Sequence, residues 1–450
     1  MRNHRLQNQM DTDVESDQEK STPTTLTRPL STAITRLPAD QAKNISFYNL
    51  TYSVPIKEKR SRFGSRTVQK VILDSITGQF RSGRFTVILG SSGAGKTSLL
   101  NLLAGKARMG TQTGTIAING QEASGRDVAD ISGFVYQEDI TMDTQTVKEA
   151  VEMSALLRMD RDMPNTKKLV KAREVIKMMN LTKCADTYLG SALIKGVSGG
   201  EKKRACIAME LITNPSVIFL DEPTSGLDSY NAYSVCRTLK SLAESGRTIV
   251  ATLHQPSSEI FHLIDDLILM AEGRILYCGT ADASVEYFAR CGYPCPTFSN
   301  PSDFFFFQLL GDEEEEDSQQ SVIADRKFRL THDNNAEESS AEKTNTISTH
   351  DSFVVGGTSK KTTAVSRTDK LLNAWIESPE GKKLSRQIRV VTARASRLYD
   401  GRYGYDPSTA IARERENDGR IRVQASFFFQ LRILFLRAWR NAVCILSIFC

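Results

Sequence analysis

The stretch FTVILGSSGAGKTSLLNLLAG, residues 85–105, constrains this chain more than any other. A short apolar, β-branched run leads into a glycine-rich turn, and the turn opens directly into a helix-like segment. Gly90 to Thr97 fit G-x-x-x-x-G-K-[ST] at every required position, in the strand-before, helix-after context that gives the pattern its meaning. The residues Gly90, Ser91, Ser92, Gly93, Ala94 and Gly95 let the backbone wrap closely around phosphate oxygens. Their N–H groups then face an anion where the following helix dipole already favours negative charge. Lys96 reaches the outer phosphates, and the Thr97 hydroxyl is placed to ligate a divalent cation.

Around this turn the texture is α/β. Apolar runs such as SVIFLD and TIVATLH alternate with longer helix-like segments from about Asn44 to about Leu310, which predicts buried parallel strands. NISFYNLTYSV and TGTIAING, the latter ending in an Asn-Gly turn, predict antiparallel strands flanking that sheet. Met142 to about Leu193 is mostly helical in pattern, as expected of a helical subdomain interrupting the sheet. Residues 1–43 are rich in Ser, Thr, Asp and Gln and are expected to be a disordered arm. Residues 311–420 begin with the acidic GDEEEEDSQQ and are expected to be a polar, largely disordered linker, with one helix at KLLNAWIES. Residues 421–450 form the last region. The first residues contain no apolar run of the kind a secretory signal needs. A net charge of +5 over 450 residues is a weak attraction for polyanions, so no nucleic-acid partner is expected. The eight cysteines lack a second ligand pair at metal spacing and are read as reduced structural thiols.

Two further segments carry chemistry. In SVIFLDEPTSGLDS four apolar residues lead into Asp221 and Glu222. Adjacent acids at the end of a buried strand are costly unless something uses them. Asp221 is placed to hold a divalent cation, and Glu222 to orient or deprotonate an attacking water. His254 ends another apolar strand, on the side where α/β sheets bind ligands; His262 lacks that context and receives no role. In GVSGGEKKRACIAMEL, Ser198 and Glu201 form a capping box around Gly199 and Gly200, starting a helix with Ala205, Ala208, Met209 and Ile212 on one face. An open glycine pair at a helix start is also a second phosphate-binding element.

In this order the motifs resemble those of the ATP-binding cassette (ABC) family, over roughly Asn44 to Leu310. GSSGAGKT is similar to its Walker A, VIFLDE to its Walker B with the catalytic glutamate, and VSGGE to its signature loop. SGLD, residues Ser225, Gly226, Leu227 and Asp228, resembles the D-loop, His254 the switch histidine, and Gln137 the Q-loop glutamine near the Mg²⁺ site. The resemblance implies a P-loop NTPase fold that binds ATP and Mg²⁺, with Thr97, Gln137 and Asp221 about the metal. It also implies head-to-tail pairing with a second cassette, whose Ser198, Gly199, Gly200 and Glu201 close over this chain's nucleotide. Tyr52 matches the adenine-stacking aromatic, with Tyr48 the alternative. GVSGGEKKR and YFARCGYPCPTFSNPSDFF resemble elements of the G (White-like) subfamily of half-transporters, in which the cassette precedes the membrane domain. The run Phe304 to Phe307 departs from that pattern and is read as packing.

The C-terminal stretch QLRILFLRAWRNAVCILSIFC is read against that resemblance. On a helix over 426–440, Phe427, Phe428, Leu431, Leu434, Phe435, Ala438 and Trp439 share an apolar arc, with Gln430, Arg432, Arg437 and Arg440 opposite. This predicts an amphipathic helix at a membrane surface. AVCILSIFC is about half the roughly 20 residues a span requires. The expectation is therefore a membrane-associated, cytoplasmic ATPase portion of a G-type half-transporter whose membrane domain is missing, coupling ATP hydrolysis to transport of an unknown substrate, with the direction left open and a lipid-like cargo only what the resemblance implies. The alternatives are a soluble regulatory ABC ATPase, and a non-productive half-transporter that pairs with intact partners.

Overall fold

The computed structural model describes residues 36–61, 64–107, 109–191, 193–297, 299–310, 366–400, 425–426, 428–435 and 437–438 (backbone alone for 57–61, 64–66 and 391–400). The chain enters through a 3₁₀ turn, Ala39–Gln41, and two long strands, β1 (Ile45–Ser61) and β2 (Gly64–Phe80). β3 (Phe85–Gly90) runs into α1 (Lys96–Leu103), followed by β4 (Thr111–Ile118), β5 (Gln121–Ala123), α2 (Gly125–Ile131) and β6 (Ser132–Val135). The helical portion holds α3 (Val147–Arg158), α4 (Asn165–Met178) and α5 (Gly199–Leu211). Then come β7 (Val217–Leu220), α6 (Ser229–Glu244), β8 (Thr248–Thr252), α7 (Ser258–Phe261), β9 (Asp266–Ala271), β10 (Arg274–Thr280) and α8 (Ala281–Arg290). α9 (Pro301–Phe304) continues into a π-helical turn at Phe305–Leu309, and α10 (Arg367–Glu377) and α11 (Pro379–Asp400) follow.

Two sheets organise these elements. The larger, ordered β10-β9-β3-β8-β7-β6, is parallel except for its β9–β10 hairpin. Its strands β3, β7, β8 and β9 are buried along their whole length. That is why they read as unbroken apolar runs: both faces are covered, in part by the smaller sheet, whose Phe80 on β2 lies against Phe219 on β7, so no alternate residue meets water. The smaller sheet, ordered β2-β1-β4-β5, is antiparallel, with Ile45 opposite Ile118 and Phe47 opposite Ile116. Its Asn119-Gly120 turn has positive φ at both residues (48° and 82°), as a two-residue hairpin of matching twist requires. The charged stretch between Tyr52 and Val71 is the outer part of the β1–β2 hairpin.

Two boundaries differ from the sequence expectation. The N-terminal arm is docked by residue 37, where Leu37 is buried and its amide donates to the Ser245 carbonyl. Residues 1–35 lie outside the described residues, as do 311–365 and 401–420 of the expected linker and 421–424 of the last region. Within that linker, α10 and α11 form a helical hairpin against the cassette and not a detached segment. Leu371 and Trp375, then Leu384 and Ile388, are each four residues apart and all buried. That spacing places each pair on one helix face, which the sheet covers. Trp375 packs on Tyr277 and Tyr287, with centroids 5.3 and 5.6 Å away, and Arg274 and Arg290 pair with Asp369 and Glu380. The six described cysteines are free thiols, four of them buried.

Candidate active site

The turn after β3 is shaped by its glycines. Gly93 and Gly95 hold φ of 80° and 94°, a region costly for residues with a Cβ. A Cβ on Gly90 would lie 2.3 Å from the Met270 carbonyl oxygen, so this residue is also required by close packing. α1 starts immediately after the turn, which turns its free N–H groups toward the loop. Lys96 is buried and donates to the carbonyls of Gly90 and Ser91, both at 2.9 Å. Burial pushes its ammonium below the usual lysine value, against the opposing pull of Glu222 and Asp221.

A hydrogen-bonded network joins the ends of four strands. The Thr97 hydroxyl donates to Asp221 Oδ1 at 3.1 Å, and the Thr252 hydroxyl donates to the same oxygen at 2.7 Å. Thr252 Oγ1 in turn accepts the Glu222 amide at 2.8 Å. The Gln137 side-chain amide donates to Glu222 Oε2 at 2.8 Å. Asp221 is buried and Glu222 half-buried. The Glu222 backbone lies at φ 44°, a left-handed conformation uncommon for a residue of this kind, two residues past the end of β7. Parallel pairing of β6, β7 and β8 is what brings Gln137, Asp221 and Thr252 to one edge. Thr97, Asp221, Glu222 and Gln137 therefore converge as the sequence predicts. Thr252 was missed; its only signal is that it closes the run TIVAT two residues before His254.

The other predicted residues are placed as follows. His254 is exposed just past β8, and its ring faces that of Phe306 at 5.6 Å. That contact is packing, as the sequence reading has it, and Phe305 likewise packs on Phe261 and Phe288. Asn300 and Ser302 both donate to the Pro256 carbonyl, fixing this segment beside the His254 loop. Ser198 caps α5 in the predicted box: its hydroxyl accepts the Glu201 amide, and its own amide donates to Glu201 Oε2 at 3.0 Å. Asp228 caps α6 by accepting from Asn231. The two caps touch, since a Cβ on Gly199 would meet Leu227 at 2.8 Å and one on Gly200 would meet Asn231 at 2.7 Å. Signature and D-loop residues thus form one cluster.

Tyr52 departs from its expected role. It is only 9% exposed, its hydroxyl donates to the Met109 carbonyl, and its ring lies against Gly110. The ring is occupied within the small sheet and presents no open face to a purine; Tyr48 is half-buried.

The C-terminal helix occupies 428–435 and 437–438. Arg437 donates to Gln145 Oε1 at 2.9 Å and contacts the Met153 sulfur, anchoring the helix on the segment leading into α3. Phe428 and Phe435 are 78% and 66% exposed, with Leu431 and Leu434 also exposed between them. Phe427 and Trp439 of the predicted arc, and Arg440 on the side opposite it, lie outside the described residues.

Comparison with known proteins agrees with this geometry. Residues 73–225 match the family model described as "ABC transporter". The chain is 42% identical over 264 residues to "ABC transporter G family member 1" of Dictyostelium discoideum, covering 58% of this chain and 33% of that protein. It is 43% identical to the mouse "Broad substrate specificity ATP-binding cassette transporter ABCG2" (58% of this chain, 39% of that one). It is also 40% identical to "Protein white" of Drosophila melanogaster (53% and 35%). The chain thus spans a third to two fifths of the length of these relatives. A second model, described as "ABC-2 type transporter", matches residues 254–372, and the expectation that the membrane domain is missing does not stand against that match. Among the described residues no helix is long and apolar enough to cross a membrane. The segment from the phosphate-binding turn through the Asp221–Glu222 pair matches an ATP-binding cassette of the ABC transporter type, in a chain similar to members of the G family.

Proposed function

We propose that this chain is the ATP-hydrolysing part of a G-type ABC transporter, working as one of two paired cassettes. The observation that carries the reading is the network Thr97–Asp221–Thr252–Glu222–Gln137, which holds two carboxylates at the mouth of a phosphate-binding turn.

The amides of Gly90 to Gly95 and the Lys96 ammonium take the β- and γ-phosphates of ATP. The donors beside them suit magnesium. Thr97 and Asp221 are hard oxygen ligands 3.1 Å apart, with the Gln137 amide adjacent through Glu222. No cluster of three acidic, His or Cys side chains suited to a metal occurs among the described residues. That fits an ion held by one or two protein oxygens while keeping water and phosphate ligands. Bound there, Mg²⁺ neutralises phosphate charge. Glu222, held by Gln137, orients a water and takes its proton as the water oxygen bonds to the γ-phosphorus. The bond from that phosphorus to the β-bridging oxygen breaks, leaving ADP and phosphate. His254, exposed just past β8, would reach the γ-phosphate in this reading.

In the paired assembly Ser198, Gly199, Gly200 and Glu201 of the second cassette, with Ser225 to Asp228 beside them, close over this nucleotide. Ser198 and Gly199 are exposed at the start of α5, as a surface awaiting a partner's phosphates requires. The pairing is with a second copy or a related cassette. The exposed apolar face of 428–435 favours a membrane-associated protein, with the cassette on the cytoplasmic side, over a free regulatory ATPase. The test is phosphate release by the purified chain with MgATP. Glu222→Gln is expected to keep nucleotide binding while turnover falls by roughly 10²–10⁴-fold, as for loss of a general base. Native turnover in that variant refutes the reading.

A further inference from the structure

We infer that Lys203 is a positioning residue for the hydrolytic site, tying the signature helix α5 to the segment that aims Gln137 at Glu222. Lys203 lies in the first turn and a half of α5 and is 3% exposed. Such burial is rare for lysine unless its charge is matched. Here the match is specific: Nζ lies 2.6 Å from Asp139 Oδ1 and donates to the Gln137 carbonyl at 2.9 Å. It also lies 3.4 Å from the Tyr136 carbonyl. One turn further along α5, the Cys206 thiol reaches the same Asp139 oxygen at 3.5 Å. The three hydrogen-bonding residues Tyr136, Gln137 and Asp139 follow β6 without helical or strand bonding of their own. The lysine therefore replaces the backbone ladder that would otherwise fix them.

What this segment carries makes the anchor functional. Gln137 is held at its carbonyl by Lys203, and its side chain donates to Glu222 Oε2. Two contacts therefore separate α5 from the carboxylate proposed to handle the water. The same α5 begins at Ser198, whose surface meets the other cassette's nucleotide in the proposed pairing. A tilt of α5 moves the Gln137 carbonyl with it, because a buried ion pair to Asp139 resists stretching. Removing one partner of such a pair leaves an uncompensated charge, so the link is maintained under load. The inference rests on the proposed ATPase reading.

The test uses the full chain and three variants: Lys203→Met, Gln137→Ala and the double variant. Lys203→Met is expected to lower kcat roughly tenfold to a hundredfold, the scale for misplacing a catalytic group. Affinity for a fluorescent ATP analogue is expected to stay within about twofold, since Lys203 touches no phosphate-binding residue. In the Gln137→Ala background, Lys203→Met is expected to cost nothing further, because it acts through the residue already removed. Multiplying losses in the double variant, or native kcat in Lys203→Met, overturns the assignment. Should Lys203→Met fail to fold by circular dichroism, Asp139→Ala, on the more exposed side of the pair, replaces it in the same cycle with the same expected outcome. Failure of Glu222→Gln to lose turnover would strike the ATPase reading itself, whereas native Lys203→Met beside an inactive Glu222→Gln strikes this inference alone.

Discussion

The Thr252 hydroxyl donates to Asp221 Oδ1 at 2.7 Å while accepting the Glu222 amide at 2.8 Å. One β-branched residue on β8 thus holds both acids at the end of β7, although the two strands are about thirty residues apart in the chain. Thr252→Val keeps the shape and removes both bonds. The Glu222 amide left unmatched costs about 1–3 kcal/mol, while Asp221 Oδ1 keeps the Thr97 hydroxyl. A lower melting temperature and a loss of turnover of roughly tenfold or more are expected, the latter from displaced geometry. Thr252→Ser, which restores the hydroxyl, is expected to recover most of both; calorimetry and phosphate release measure them.

Lys96 makes its hydrogen bonds to the loop that would receive the phosphates. Lys96→Ala is expected to weaken binding of a fluorescent ATP analogue strongly. A pH dependence follows as well. Burial holds the Lys96 pKa below the usual lysine value, so its charge is lost at a lower pH than an exposed lysine's. Phosphate binding favours the charged form, so affinity should fall as pH rises through that lowered pKa. Lys96→Arg, charged throughout, should show a flatter alkaline profile. Parallel profiles in the two proteins would contradict the sign of the shift.

Trp375 joins α10 to the aromatic cluster of Tyr277 and Tyr287 on β10 and α8. Truncating a buried aromatic costs about 3–5 kcal/mol where the site cannot collapse. Trp375→Ala should therefore release the α10–α11 hairpin, seen as faster amide exchange over 367–388, while nucleotide affinity stays unchanged. Native exchange there would mean that the salt bridges of Arg274 and Arg290 suffice without the ring.

Phe428, Leu431, Leu434 and Phe435 present one exposed apolar face, with Arg437 turned toward Gln145. Full burial of each side chain is worth about 1.5–3 kcal/mol. The chain should float with anionic lipid vesicles, and replacing all four by Ser should reduce the bound fraction more than tenfold on that scale. Equal flotation of the two would assign the face to protein contacts.

Much of the site was legible along the chain because local geometry makes it. Gly90 to Thr97 is a strand-turn-helix unit, and Ser198 with Glu201 is a capping box closed within four residues; neither needs distant partners to be recognised. Asp221 and Glu222 stood out because acids at the end of a buried apolar run are conspicuous. What the sequence could not determine was which distant residues meet. Thr252 and Lys203 look like an ordinary strand threonine and a helix lysine until β6, β7 and β8 are set side by side and α5 is laid against the turn after β6. The same holds for Tyr52, aromatic in the right place but turned into its own sheet, and for α10–α11, whose polar composition concealed two pairs of buried apolar residues. Short-range hydrogen bonding and apolar periodicity are written in neighbouring residues. Side-chain partnership across strands depends on sheet order and helix docking, which are settled only when the whole chain packs.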